Sequence, residues 1–413
     1  MRIAIVGSGI SGLVSAYLLS RDHEVSVFEA NDYVGGHTLT TQVRSNGNSL
    51  AVDAGFIVFN EASYPNFVRL LDRLGVESQS TTMSFSVRCD RTGLEYAGTN
   101  LDTLFAQRSN LLRPRFYRFA GEIFRFNKAA KQALASDRLP GTLREFLANN
   151  ELSSSLAEHY VIPLTAAIWS TEPQRALDTP ALFILRFLDN HRLLSTSSHH
   201  PWRVIKGGSA RYIDRLTAEF ADRIRLRTPV RRLQRSSAGV RVSTDDGTEN
   251  FDEVVVAAHS NQALKMLASP SPAEEEVLSA IGYQPNRAIL HTDESVLPRR
   301  RRAWASWNYR TAREPDLPVA VTYNMTKLQR LHTDTSYCVS LNIEDELKEG
   351  SKIASFDFEH PLFTEAAVAA QSRHFEISGT DHIHYCGAYW RHGFHEDGVV
   401  SALAVCKHFG MTL

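Results

Sequence analysis

Arg2-Ile3-Ala4-Ile5-Val6-Gly7-Ser8-Gly9-Ile10-Ser11-Gly12 opens the chain, and how it is read decides the fold. The first five residues have the apolar density of a short buried strand. A glycine-spaced turn follows without a break, then an apolar helical run from Leu13 to Leu19. Glu24-Val25-Ser26-Val27-Phe28 is a second strand, closed by Glu29. Strand, turn, helix and strand in this order make a βαβ unit with a dinucleotide-binding fingerprint. Gly7 permits the tight turn out of the strand. Gly9 lets backbone approach a pyrophosphate, and Gly12 lets the helix lie close on the sheet. Ser8, Ile10 and Ser11 surround the helix N-terminus, whose free N–H groups and positive dipole end suit phosphates. Glu29, with Ala30 beside it, ends the second strand where a carboxylate can accept hydrogen bonds from ribose hydroxyls.

The residues that follow say which dinucleotide. Glu29 is followed at family spacing by Gly35-Gly36-His37, and then by Val52-Asp53-Ala54-Gly55-Phe56. A domain that binds only nicotinamide has no need of a second glycine pair there. This E-x(5)-G-G segment with a later D-x-G element resembles the flavin amine oxidase, phytoene desaturase and protoporphyrinogen oxidase superfamily. That resemblance implies a two-dinucleotide-binding-domain flavoprotein of the α/β class. It would have a Rossmann-like FAD domain and a discontinuous, mixed α+β substrate domain. His37 stands where the family has Arg, and an imidazole there would make phosphate contacts weaker or pH-dependent.

The resemblance runs along most of the chain. Val230, in Arg227-Thr228-Pro229-Val230, matches the valine whose backbone meets the adenine. Gly239 to Val242 and Phe251 to Ala258 read as a hairpin whose last strand returns to the nucleotide domain, ending in Ala257-Ala258-His259. Gly207-Gly208-Ser209 resembles a segment that opens a helix. Tyr385-Cys386-Gly387-Ala388-Tyr389-Trp390 and Gly393 to Ala402 resemble the part that closes over the flavin. Gly387, Gly398 and Val399 are the candidates for contact there, although Ala388 replaces the family's ribityl-binding acid. Cys386 lacks the family's covalent context, so the FAD is expected to be non-covalent. Trp304 to Tyr309, Val321 to Met325 and Phe356 to Pro361 resemble a bacterial NAD/FAD-binding subgroup associated with cyclopropane-fatty-acid-synthase-type methyltransferases. That implies a hydrophobic or acyl-lipid substrate and contact with such a methyltransferase.

Composition sets bounds. The chain has 413 residues, 43% of them hydrophobic, and a formal net charge of -1, which gives no general electrostatic case for nucleic acid. Its four cysteines have no C-x-x-C pairing, against a disulfide framework or a zinc site. With a strand expected from residue 2, no signal peptide is expected, and no run of about 18 apolar residues exists to span a membrane. The expectation is a cytoplasmic protein, with peripheral contact at the inner membrane face left open. The nucleotide domain is expected at 1–75, 200–260 and 375–413, and the substrate domain at 76–199 and 261–374. Within the latter, 111–135 reads as a basic, aromatic amphipathic helix. It suits either an anionic membrane surface or a solvated face over a core stripe. Arg299-Arg300-Arg301-Arg302 reads as a solvated loop or a headgroup contact.

For chemistry, His395 and Glu396 are acid/base candidates, although acidic residues in a first helical turn also serve the helix dipole. Tyr389 and Trp390 form either an aromatic cage or plain packing. Lys327 reads as a surface lysine. No metal is expected, because His199-His200 has no carboxylate at ligand spacing. Ser209 lacks a nucleophile elbow, which excludes a hydrolase. Three activities stay open: an FAD-dependent dehydrogenase or desaturase of a lipid-like substrate, an amine oxidase releasing peroxide, and a non-catalytic flavoprotein partner of a lipid methyltransferase.

Overall fold

In the computed structural model, residues 1–45, 47–136, 141–195, 200–311 and 320–413 are described. His199 lies outside them. β1 (Arg2–Val6) is the centre of a five-stranded parallel sheet. β2 (Glu24–Phe28) pairs with it on one side and Glu253–Val256 on the other; Ile224–Arg225 and Ile383–Tyr385 form the edges. The strands are apolar on both faces because both are covered. Ile3, Ile5, Val25, Val27 and Val255 point into one core, beneath α1 (Ile10–Leu19), α2 (Pro65–Leu74) and the final helix His395–His408. Ala4, Val6, Phe28, Val254 and Val256 point into a second. All ten residues of α1 are buried, so it is apolar all round.

The hairpin expected after residue 239 has one strand more. Arg232–Ser236, Gly239–Thr244 and Gly247–Phe251 form their own antiparallel sheet. The chain then turns at Asp252, which accepts the Arg2 N–H at 2.7 Å, before Glu253–Val256 enters the parallel sheet. Ala263, Val277 and Leu278 also lie in the second core, so the segment just past 260 packs on the nucleotide sheet.

A seven-stranded sheet is built from 352–361, 283–291, 338–341, 320–324, 307–311, 85–89 and 95–97, in that order. It is antiparallel except between 307–311 and 85–89. Between residues 101 and 190 the described chain is helical and builds a separate aromatic core. The helix Pro114–Ser136 turns Phe116, Phe119 and Phe126 into that core. The aromatic face that could have met a membrane is therefore core packing; of its aromatics only Tyr117 and Phe124 look outward. Among the described residues, no helix is long and apolar enough to cross a membrane.

Candidate functional site

The glycine loop folds as its spacing requires. Gly7 takes a left-handed φ of +103°, and its N–H donates to Phe28 O at 2.8 Å. A Cβ on Gly12 would lie 2.0 Å from Gly7 O, so only glycine lets α1 sit this close to the turn. Gly9 differs: a Cβ there would meet nothing within 4 Å. Gly9 is also the N-cap of α1, no side chain caps that helix, and its first turn holds no acid. The positive end of a buried ten-residue helix thus opens onto free space bounded by backbone.

The second glycine pair closes over this loop. The Gly35 N–H donates to Ser8 O at 3.0 Å, and a Cβ on Gly36 would come within 3.1 Å of Gly9 Cα. Glu29 is buried; it accepts from Ser8 N at 2.9 Å, Ser8 Oγ at 2.5 Å and Asn31 N at 2.8 Å. The Thr228 N–H donates to Glu29 O at 2.8 Å, which lays the segment leading to Val230 along the end of β2. Ala257 O faces Gly7. Ala30 is exposed beside Glu29. These residues fit the adenosine and pyrophosphate of a dinucleotide: an uncapped helix and a cradle that a side chain at Gly9 would fill.

The other end is built from side chains. The Phe56 N–H donates to His37 O at 2.8 Å, across from Gly55. The Phe56 ring stacks on His395 at 3.5 Å. His395 Nε2 lies 3.0 Å from Thr38 Oγ1 and 2.9 Å from Tyr212 OH. Burial drives the His395 pKa down to about 3, so its ring is neutral at pH 7. Glu396 is committed elsewhere: it accepts from Asn66 N, Asn66 Nδ2 and Phe67 N at 2.7 to 3.1 Å and caps the start of α2. Gly398 lets the final helix meet α1, since a Cβ there would come within 2.7 Å of Ile10 Cγ2 and 3.0 Å of Ser11 Oγ. Val399 is buried in the core beside it. The Gly387 N–H donates to Ser401 Oγ at 3.0 Å. Tyr389 and Trp390 pack in the second core with ring centres 4.9 Å apart. The Cys386 thiol is buried, and desolvation pushes its pKa up to about 12.

Several contacts had no motif to announce them, even where one partner belonged to one. His37 stacks on Phe358 at 4.7 Å, with the rings of His360 and His259 5.5 and 6.1 Å away. Desolvation, then the other histidines, hold the His37 pKa well below its ordinary value; the same effects bring His360 down to about 4. Asp53 accepts from Thr40 Oγ1, Ser209 N and Gln329 Nε2 at 2.6 to 2.9 Å, joining the D-x-G element to the Gly207-Gly208-Ser209 segment. Its burial raises its pKa to about 6. Where the helical layer meets 387–394, Trp169, Phe183, Phe187, Phe363 and Phe394 form an aromatic wall with ring centres 4.6 to 4.8 Å apart at its closest contacts. His191 and His392 border it, each brought down to about 4 by burial. Asp397 is turned back onto Phe394 N at 3.0 Å. Lys327 is exposed and donates to Trp304 O at 2.6 Å. Far from the glycine loop in sequence, Cys89, Glu158 and His159 hold ligand-type atoms within 4.8 Å of one another, but Glu158 is ion-paired with Arg91.

The sequence profile of flavin containing amine oxidoreductases matches residues 10–333. A Mycobacterium tuberculosis chain provisionally named a flavin-containing monoamine oxidase is 28% identical over 265 residues, which cover 62% of this chain. The match covers 56% of that relative's length, so this chain spans little more than half of it. Cyclohexylamine oxidase from Brevibacterium oxydans shares the fold with a TM-score of 0.71 over 99% of both chains, at 16% identity. A CLA-producing fatty acid isomerase from P. acnes also gives 0.71, over 99% of this chain and 98% of its own, at 15% identity.

Proposed function

This chain belongs to the flavin-containing amine oxidoreductase family, whose members bind FAD, and on that premise we propose that it is an FAD-dependent oxidoreductase acting on a hydrophobic, lipid or fatty-acyl substrate. FAD, when bound, supplies the electron acceptor for hydride removal from a C–H bond. The protein's part is to bind, orient and exclude water. The loop Gly7 to Gly12 and the uncapped start of α1 would take the pyrophosphate, and Glu29 would exchange its Ser8 contacts for ribose hydroxyls. His395 is neutral and a weak base at pH 7, and is held by Thr38 and Tyr212. It positions Phe56 and the start of the final helix and has little capacity to carry a proton there.

The observation that supports the substrate class is the aromatic wall of Trp169, Phe183, Phe187, Phe363 and Phe394. Its five rings are apolar and its bordering histidines are uncharged at pH 7, which suits an acyl chain better than a charged amine. A polyamine would bring charges that these residues do not pair. The fold itself does not choose, because it serves an amine oxidase and a fatty acid isomerase alike. The subgroup resemblance adds a methyltransferase of acyl lipids as partner and the membrane surface as workplace.

The test is anaerobic bleaching of the purified flavoprotein by a panel of phospholipids, fatty acids and amines. Bleaching by acyl lipids and not by amines is expected. Bleaching by simple amines, with peroxide formed when air is admitted, would replace this reading with amine oxidation. A flavin that nothing in the panel bleaches would point to a non-catalytic partner role.

A further inference from the structure

The helix Pro114–Ser136 buries its aromatic stripe, yet the surface where it begins is strongly apolar. Leu112 is 88% exposed, Leu101 74%, Tyr117 51% and Leu111 47%. They are neighbours: the Tyr117 OH donates to Leu111 O at 3.0 Å, and the Tyr117 ring packs on Phe105 at 5.7 Å. Single exposed hydrophobics are ordinary, but four on one shoulder mark a contact surface. Arg108, Arg113, Arg115 and Arg118 lie among them in the sequence, and all four are exposed. The fold adds a second group that is remote in sequence. Helix Leu101–Leu104 touches the turn Arg301–Ala303, which brings Arg299 to Arg302 to the same shoulder.

The nearby acids are few and already engaged. Asp102 pairs with Arg108, Glu294 with Arg301, and buried Glu95 with Arg300 and the backbone of Arg299. Among the described residues, the side chains of Arg115, Arg118, Arg299 and Arg302 have no acidic partner within ion-pair distance. Exposed leucines ringed by unpaired guanidinium groups match the two layers of an anionic bilayer surface, acyl boundary and phosphate.

We propose that this shoulder docks the protein on anionic phospholipid membranes, with Leu101, Leu111, Leu112 and Tyr117 entering the interface and the arginines meeting lipid phosphates. In its purpose the docking rests on the lipid reading above, since it would place the substrate domain where acyl chains are found.

Flotation of the flavoprotein with vesicles tests it, using phosphatidylcholine alone against phosphatidylcholine mixed with phosphatidylglycerol. Binding to the mixed vesicles only is expected, declining as salt screens the arginines. Leu111→Ser with Leu112→Ser should weaken it about tenfold or more, even at low salt. Arg115→Glu with Arg118→Glu should abolish it, and both variants should keep the flavin spectrum. Wild-type protein that ignores anionic vesicles, or leucine variants that bind as wild type does, would overturn the proposal. So would leucine variants that convert a dimer to a monomer without changing flotation, since the shoulder would then be a contact between copies. Docking that survives while only amines bleach the flavin would remove the lipid substrate and leave the docking. Bleaching by detergent-dispersed lipid without flotation would do the reverse.

Discussion

The two ends of the candidate site are made of different material. The end at Gly7 to Gly12 is backbone: a strand, a turn and a helix start, with Gly35 and Gly36 folded over it. The end at His37, Phe56 and His395 is a set of buried and half-buried side chains drawn from six separate stretches of chain. Backbone sites are specified by spacing, and side-chain sites by the tertiary fold. The first end should therefore fail by steric contact and be indifferent to pH, while the second should fail by protonation and lost hydrogen bonds.

The largest effect separates two glycines three residues apart. Gly12→Val puts a Cβ 2.0 Å from Gly7 O, against backbone that cannot give way. The expected cost is about 3 kcal/mol or more, read as loss of soluble, cooperatively unfolding protein. Gly9→Val meets nothing within 4 Å and should fold normally, yet fill the phosphate space and purify colourless. A yellow Gly9→Val protein would show that the phosphates lie elsewhere.

Acid should act on the other end. A histidine whose folded pKa lies below its unfolded value of about 6.5 costs nothing above that pH and destabilises as pH falls towards the folded value. His395, His360, His191 and His392 have folded values of about 3, 4, 4 and 4. At pH 5 each removes about 2 kcal/mol on this scale. Asp53 and Asp397, raised to about 6, work the other way: the folded state takes up their protons first, and each returns about 1.4 kcal/mol at pH 5. The histidines outweigh them, so thermal unfolding measured from pH 8 to 5 should shift downward below about pH 6.5. His395→Phe keeps a ring on Phe56 and should flatten part of that slope. An unchanged slope would mean that His395 is solvated.

This division also explains what the sequence disclosed. Gly7, Gly9, Gly12, Glu29 and the second glycine pair could be read because the contacts that define the loop, Gly7 to Phe28, Ser8 to Glu29 and Gly35 to Ser8, lie within about thirty residues and depend on spacing. Asp53 belonged to a recognisable element, but nothing local showed that it anchors Ser209, 156 residues on. His259 and His360 could be seen only as residues beside motifs until the fold set them around His37. The aromatic stripe of Pro114–Ser136 had the period of an amphipathic helix, and period alone does not say whether a core or a lipid covers it.

The smallest effect concerns Glu396, where the two accounts of one carboxylate differ most. As a cap it accepts three hydrogen bonds at the start of α2, where the positive end of that helix favours an anion. Glu396→Gln keeps the shape and one acceptor oxygen but removes the charge, so about 1 kcal/mol of stability should be lost. Flavin content and the rate of anaerobic bleaching should stay within about twofold of wild type, because a cap stabilises the helix without entering the barrier. An acid or base in the reaction would instead lose about a hundredfold in rate at unchanged stability, with one limb of the pH–rate profile gone. Measuring unfolding and single-turnover bleaching on the same preparation separates the two. Loss of rate without loss of stability would give the reaction a carboxylate that, on the present geometry, is occupied in holding two helices together.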